Sequence, residues 1–365
     1  MNKELRPAVR DILFEEDKFV YEWHGAKGVS GAELVEQVWL VERVVIALRN
    51  TTATVFLLRG GVRLRPRYIE GGRTGNLFLA ALKTNYHEIK VRYPFHQFNP
   101  YLEVFFRCAL ECCPDGLPWG VGDYEGEVLE GAVSVLNRMV SSIRKALMKE
   151  DFKRALADFE RSSNKNYKSL ILYIDSLFES HARMLVLRVD LAYQNKYSTA
   201  AVSDNPVTYA EAKKHREEFF RNVRRKVLVD SLIGFVWKLE YGLEKGFHYH
   251  VMFFLDGSKV RQDVTIAKVI GTYWVEVITA RRGLYFNCNA VKSKYRSCGI
   301  GMVEHSDSLM RENLIKAAVY LTKSDYYMKM IAPSGGRCFG RGLAPLSKLS
   351  GVKRGRPRKV TDSAI

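Results

Sequence analysis

The sequence predicts an α+β protein, with an antiparallel sheet that carries helices on one face and a mainly helical N-terminal region before it. Strands are indicated by period-two apolar patterns over residues 182–193 and 234–242 and by an apolar run within 244–257. Helices are indicated by apolar residues that recur at three- and four-residue spacing before and between these strands. Only a few residues separate the second and third strands, which is typical of an antiparallel hairpin.

The chain divides into three predicted regions. Residues 1–160 form an N-terminal accessory region with Gly-rich breaks, a helical pattern over 125–162 and no chemical motif, so its role is unassigned. Residues 165–340 form the α+β domain, in which helical patterns cover 208–230, 261–278 and 308–325. Asp307 or Ser308 is the expected N-cap of the last helix. Residues 343–365 form a short basic tail that we expect to be disordered when free.

The net charge of +17 favours a polyanionic partner, either nucleic acid or an anionic membrane. No apolar run approaches the roughly 20 residues that cross a bilayer, and the N-terminal stretch lacks the apolar core of a secretory signal. We therefore expect nucleic acid and no membrane. The six cysteines lack zinc-site spacing and are expected to be reduced thiols in a cytoplasmic protein. No phosphate-binding loop of the Walker type occurs, and no small-molecule cofactor is expected.

Two histidines, His248 and His250, lie at the start of the third strand. At i, i+2 spacing both imidazoles point to one face of a sheet, together with Met252 and Phe254. Burying both without partners is costly, and such a pair is suited to binding one divalent ion. Glu240, across the short turn, is a direct or diagonal cross-strand neighbour of His248 and a third candidate ligand. The alternative is two ordinary core histidines.

The predicted helix over 308–325 has an apolar stripe and a polar stripe. The apolar stripe comprises Leu314, Ala317, Ala318 and Leu321, and the polar stripe comprises Asn313, Lys316, Tyr320 and Lys323. Tyr327 joins the polar stripe if the helix continues, whereas Tyr326 rotates away. One interpretation is a solvated helix face. The other is a nucleophilic tyrosine, because nearby ammonium groups favour the phenolate and hold a phosphate.

These two segments carry a family resemblance. The strand "GFHYHVMFF" resembles the His-hydrophobic-His strand of HUH endonucleases, and "YLTK" resembles their Tyr-x-x-Lys helix. More closely, residues 165–340 resemble the YagK/YfjJ prophage proteins and the inovirus-type replication initiators grouped with them. That resemblance lies in "LRVDL", in the Glu-Tyr-Gly approach to the histidine strand and in the "YL-x-K" helix.

The resemblance implies an HUH endonuclease that starts rolling-circle replication of a phage, prophage or plasmid-like element in a bacterial host cell. His248 and His250 would bind Mg²⁺ or Mn²⁺, with Glu240 as the third ligand. Tyr320 would attack single-stranded origin DNA to leave a 5′-phosphotyrosyl enzyme, and Lys323 would orient the phosphate. Origin duplex DNA and the host helicase and polymerase are the further partners that it implies.

Departures from the family pattern limit this implication. The first strand lacks the threonine-rich pattern of many HUH initiators, so we expect its role to be structural. Tyr326 and Tyr327 lie farther from Tyr320 than in typical two-tyrosine enzymes; Tyr327 is a possible second nucleophile, and a structural role is favoured for both. No helicase segment follows. An HUH relaxase or transposase, or a non-catalytic DNA-binding regulator that kept the fold, are the alternative functions.

The tail contains a second DNA-binding signal. The segment "KRGRPRK" resembles an AT-hook, an extended core that lies in a narrow A·T-rich minor groove. Its core residues are Arg354, Gly355, Arg356, Pro357 and Arg358. The alternative is a solvated basic tail that binds any phosphate. Asn313 and Lys316 are further candidate DNA contacts, on the tyrosine helix.

Overall fold

The computed structural model describes residues 31–60, 67–114, 127–199, 203–242, 245–323 and 328–345. The α-helices of these residues are α1 (Gly31–Arg49), α2 (Gly72–Leu82), α3 (Tyr86–Arg92), α4 (Pro100–Cys112), α5 (Glu127–Met148), α6 (Glu150–Ser180), α7 (Tyr209–Asn222), α8 (Asp263–Tyr273) and α9 (Ser308–Lys323). The strands are β1 (Leu57–Arg59), β2 (Tyr68–Glu70), β3 (His96–Phe98), β4 (Arg183–Tyr193), β5 (Leu232–Gly242), β6 (Gly246–Asp256), β7 (Gly283–Asn287), β8 (Gly301–Glu304), β9 (Met328–Met330) and β10 (Phe339–Arg341). One π-helical turn continues each of α7 and α8.

The chain forms two compact units. One comprises the described parts of Met1–Ser163 and Ser324–Lys329, and the other those of Asn164–Lys323 and Met330–Ile365. The division therefore falls within α6. Since the candidate ligands all belong to the second unit, the fold of that unit decides their geometry.

The N-terminal unit is helical, as predicted. Its core includes an edge-to-face chain of three aromatic rings, in which Phe78 lies 5.6 Å from Phe56 and 5.2 Å from Phe105. The helical pattern over 125–162 is divided between α5 and α6 rather than forming one helix. Charges near the break favour two helix ends, because Lys145 lies in the last turn of α5, and Glu150 lies in the first turn of α6.

The second unit contains an antiparallel sheet in the order β10-β5-β6-β4-β7, and β8 pairs with the other end of β4. The α+β class is therefore confirmed. Strands β5 and β6 form the predicted antiparallel hairpin, with Gly242 opposite Gly246. Nearly every residue of β6 is buried, because β6 is a central strand with both faces covered.

Helices pack on both faces of this sheet rather than on one. On the face of His248 and His250, Met252 and Phe254 share a core cluster with residues of α6 and α9. On the opposite face, the Phe253 ring lies 6.2 Å from that of Phe219, which belongs to α7. Both faces carry helices because the alternate residues of β6 are large and apolar on each side.

Local sequence signals fix the two helices that flank the sheet. Thr208 caps α7 in a capping box with Glu211, as the side chain of each accepts a hydrogen bond from the backbone of the other. The Asp307 carboxylate accepts a hydrogen bond from the Met310 N–H, so Asp307 is the N-cap of α9. In that helix Leu314, Ala318 and Leu321 are buried, which confirms the predicted apolar stripe.

The side chain of Asn289 fills a gap in the sheet beside β4. Strand β7 pairs with β4 from Val189 onward, and β8 pairs with it up to Val186. Between them, the Arg188 N–H donates to Asn289 Oδ1 at 2.9 Å, and Asn289 Nδ2 donates to the Val186 carbonyl at 3.0 Å. The backbone of β4 is thereby held in place on both sides of Leu187.

Candidate metal centre

The candidate centre lies on the β5–β6 hairpin. Glu240 is directly opposite His248 in the strand register, and Lys238 is opposite His250. The direct cross-strand arrangement, one of the two predicted, is therefore the observed one. One ligand atom from each of Glu240, His248 and His250 lies within 4.8 Å of the other two. The structure thus brings the three sequence-predicted ligands to one point.

His248 is oriented by its own hairpin. Its Nδ1 lies 3.1 Å from the carbonyl oxygen of Gly246, and its Nε2 lies 3.7 Å from Oε2 of Glu240. A carbonyl oxygen only accepts hydrogen bonds, so this contact is a hydrogen bond when Nδ1 carries the proton. In that neutral form, Nε2 keeps a lone pair for a cation that Glu240 would share.

His250 has the same arrangement with a different outer partner. Its Nδ1 lies 2.8 Å from Oδ1 of Asp190, and its Nε2 lies 3.4 Å from Oε2 of Glu240. Asp190 is opposite His250 on the neighbouring strand β4. Asp190 was not predicted as a site residue, since the first strand was expected to be structural; the structure places its carboxylate against His250. A signal existed in the two charged residues, Arg188 and Asp190, on one face of an otherwise apolar strand.

The electrostatics of the centre follow from burial and close opposite charges. Burial opposes ionisation at Asp190, but the charges of His250 and Arg188 outweigh it and hold the Asp190 pKa well below its usual range. Both histidines likewise hold the pKa of Glu240 far below its usual range, against the effect of burial. Burial lowers the pKa of His248. Burial also disfavours the charged form of His250, yet Asp190 and Glu240 raise its pKa to about 9.

The donor set fits a divalent cation. Two imidazole nitrogens and a carboxylate oxygen converge, and each nitrogen offers a lone pair when its ring is neutral with the proton on Nδ1. In the absence of metal, a proton on His250 offsets part of the negative charge of Asp190 and Glu240. A divalent cation would offset more of that charge. Two nitrogen ligands and one oxygen ligand leave coordination positions for a substrate oxygen or water. The arrangement suits Mg²⁺ or Mn²⁺ without identifying the ion.

The apparent affinity for Mn²⁺ is expected to rise with pH, by about tenfold per unit up to roughly pH 9. Metal binds the neutral imidazole, whereas His250 with a pKa of about 9 is mostly protonated at neutral pH, so binding releases a proton. Titrations of the DNA-free chain with Mn²⁺ between pH 6.5 and 9.5 test this. An affinity that is flat over this range would contradict the assignment of His250 as a ligand.

Replacing Gly246 by alanine is expected to cost at least about 2 kcal/mol of folding free energy and to weaken Mn²⁺ binding. Gly246 has a φ of +60°, and an added Cβ would clash with the backbone oxygen of Ser198. Relieving this clash moves the carbonyl that orients His248. The control is Gly242→Ala in the same hairpin, where the added Cβ meets only Lys245 at 3.9 Å. Thermal unfolding and Mn²⁺ titration of both variants check this prediction. Equal losses of stability and Mn²⁺ affinity in the two variants would contradict the special role of Gly246.

The tyrosine helix packs on the histidine face of the sheet. Leu314, Ala318 and Leu321 of α9 belong to the same core cluster as Met252 and Phe254, which share the face of the histidines. Tyr320 and Lys323 lie in the last turn of α9, and their side chains are outside the described part of the structure.

The remaining predicted DNA contacts are only partly described. Lys316 pairs with Glu312 at 2.8 Å on α9, and Asn313 is partly buried. Tyr326 and Tyr327 lie outside the described residues, as does the basic segment over 354–358. The predicted second nucleophile and AT-hook therefore stay predictions.

Fold and site together define a class: an α+β protein whose antiparallel sheet carries a candidate two-histidine, one-carboxylate cation centre. The chain belongs to the YagK/YfjJ C-terminal domain family, because the model of that family matches residues 136–342, more than half of the chain. The matched range includes the cation centre and α9. No curated protein and no solved structure matches the chain. Among the described residues, no helix has both the length and the apolar character needed to cross a bilayer.

Proposed function

We propose that this protein is an HUH-type replication initiator that nicks single-stranded origin DNA and starts rolling-circle replication of a phage, prophage or plasmid-like element. One observation carries the proposal. The three candidate ligands converge on the same sheet face against which α9, the helix of Tyr320 and Lys323, packs. A cation site and a tyrosine helix on one face are the two parts that a metal-assisted phosphodiester transfer needs.

The charges on this face favour an anionic substrate. The side chains of Arg188 and Lys238 are buried there, on the same face as Asp190 and Glu240. These two basic groups offset the two carboxylates, and a divalent ion and Lys323 would add further positive charge. The centre would therefore favour a phosphodiester under attack by a phenolate, both of which are anionic.

The proposed reaction is a transesterification. The Tyr320 oxygen attacks the phosphorus as its proton leaves, a new P–O bond forms, and the P–O3′ bond breaks. The products are a 5′-phosphotyrosyl enzyme and a 3′-oxygen that takes up a proton and serves as a polymerase primer. Lys323 would orient and neutralise the phosphate, and His248, His250 and Glu240 would hold a cation, which when bound would polarise a phosphate oxygen. One phosphoester replaces another, so the nick can be resealed without ATP.

DNA affinity comes mainly from charge in this proposal. The chain carries +17, and its basic tail over 354–358 would contact A·T-rich duplex near the nick. Asn313 and Lys316 on α9 would contact the strand beside Tyr320. Duplex binding and single-strand cleavage would thus depend on different parts of the chain, with the host helicase and polymerase acting after the nick.

Two other functions are open to direct test. An HUH relaxase or transposase would use the same chemistry on a different DNA. A regulator would bind DNA and leave it intact. The test uses the full chain, Mn²⁺ and end-labelled single-stranded oligonucleotides that tile the element's origin. The proposal predicts a denaturant-resistant adduct on one origin oligonucleotide, and sequencing of the attached DNA identifies the cleaved element. A mobility shift without any adduct across all oligonucleotides would reject the nickase and favour the regulator.

A further inference from the structure

Asp190 lies behind the candidate cation centre, on the far side of His250. Its Oδ1 is 2.8 Å from Nδ1 of His250, the nitrogen that faces away from Glu240. The Arg188 Nε is 3.6 Å from the same oxygen atom. The side chains of Asp190, His250 and Arg188 are 13%, 8% and 5% exposed, so this contact is shielded from water. The buried side chains thus contact one another in the order Arg188, Asp190 and His250, and His250 belongs to the cation centre.

We propose that Asp190 is a positioning residue: it holds His250 with its proton on Nδ1 and its Nε2 lone pair toward the metal, and Arg188 holds Asp190. This inference rests on the proposed function only in taking His250 as a metal ligand. The chemical reason is that a carboxylate 2.8 Å from Nδ1 favours the proton on that nitrogen by charge, which leaves the Nε2 lone pair for the metal.

The two candidate ligand histidines are oriented by different groups next to Nδ1. His248 has a carbonyl partner on its own strand, Gly246, so its orientation is set within the hairpin. His250 has its outer partner on another strand, and that partner is a charged group. Without Asp190, the His250 ring would lose the carboxylate that favours the proton on Nδ1, and either nitrogen could carry the proton. The carboxylate therefore matters for the metal affinity of His250 in particular.

The position of Asp190 is fixed by sheet structure rather than by a loop. It pairs with His250 on β6 and with Phe286 on β7, so it has a strand on each side. The side chain of Asn289 bonds the β4 backbone two residues earlier. A positioning group in a central strand of a sheet is held before any ligand arrives, which lowers the ordering cost of metal binding.

The test measures Mn²⁺ binding to the full chain by electron paramagnetic resonance, without DNA. The variants are Asp190→Ala and Asp190→Asn, and the control is Asp175→Asn, which removes another arginine-paired carboxylate of the same unit. We expect Asp190→Ala to weaken Mn²⁺ by about 10- to 100-fold. Asp190→Asn is expected to lose less, because its amide oxygen still accepts the Nδ1 proton. The control is expected to bind like wild type.

A second readout separates positioning from a loss of fold. In ¹⁵N NMR of the metal-free chain well above pH 9, where His250 is neutral, it is expected as the Nδ1-protonated form in wild type and in Asp190→Asn, and as a mixture in Asp190→Ala. Mn²⁺ affinity of Asp190→Ala within about twofold of wild type would overturn the proposal. So would an unchanged His250 tautomer in that variant, which would make any lost affinity a matter of stability. The Mn²⁺ affinities of wild type and variants could follow the expected order although the protein never nicks DNA. That result would count against the proposed function and leave this inference standing.

Discussion

Tyr320→Phe is expected to abolish the covalent protein–DNA adduct, with a fall in single-strand cleavage of at least about a thousandfold. Phenylalanine keeps the ring and the helix propensity of α9 and removes only the oxygen that would attack the phosphorus. DNA affinity is expected to stay within about twofold, because charge supplies it. Denaturing gels of a labelled origin oligonucleotide with Mn²⁺ measure the adduct, and native gels measure the affinity.

The control for this prediction is Tyr68→Phe, on an exposed strand of the N-terminal unit. It is expected to form adduct like wild type. Tyr327→Phe tests the possible second nucleophile: a structural role leaves the first cleavage intact, whereas a catalytic role removes strand transfer after it. Full adduct formation by Tyr320→Phe would mean that another group attacks, and the nucleophile assignment would then be wrong.

His248→Ala and His250→Ala are each expected to weaken Mn²⁺ binding by at least about a hundredfold and to remove cleavage, while DNA binding is retained. Each change deletes one of three ligands, and two ligands hold a hard divalent ion poorly. The matched control is His181→Ala, because His181 belongs to the same unit, is no candidate ligand, and has its Nδ1 3.2 Å from the Leu177 carbonyl oxygen. Calorimetry with Mn²⁺ and the adduct assay measure both effects.

These histidine variants also distinguish the loss of a metal ligand from the loss of the fold. The two buried rings of wild type lie 5.2 Å apart, and either alanine leaves a cavity in a central strand. Loss of fold would remove DNA binding and metal binding together. Loss of a ligand removes only metal binding and cleavage. Cleavage at the wild-type rate by either variant would reject the metal centre.

The strands and their faces were predictable because period two is a local property of sequence. The alternation along 246–256 places His248 and His250 together without any knowledge of the partner strands. The register of Glu240 was not fixed in the same way, since a short turn of unknown geometry allows a direct or a diagonal pair. The structure selects the direct pair.

Asp190 shows what local patterns leave undecided. It lies 60 positions before His250, and only the pairing of β4 with β6 brings the two residues together. The second helical layer was missed for a related reason, because a strand that is apolar on both faces does not reveal how many helices cover it. The N-terminal unit offered no chemical motif, and its described fold adds none.

The central claim is that two imidazoles and one DNA phosphate meet at a single cation. Electron–nuclear double resonance of Mn²⁺, on the full chain with an uncleavable origin oligonucleotide, measures this directly. The account predicts ¹⁴N couplings that fall when His248 or His250 is replaced, together with a ³¹P coupling from the bound strand. A ¹⁴N signal that neither variant alters, or no ³¹P coupling at saturating oligonucleotide, would contradict it.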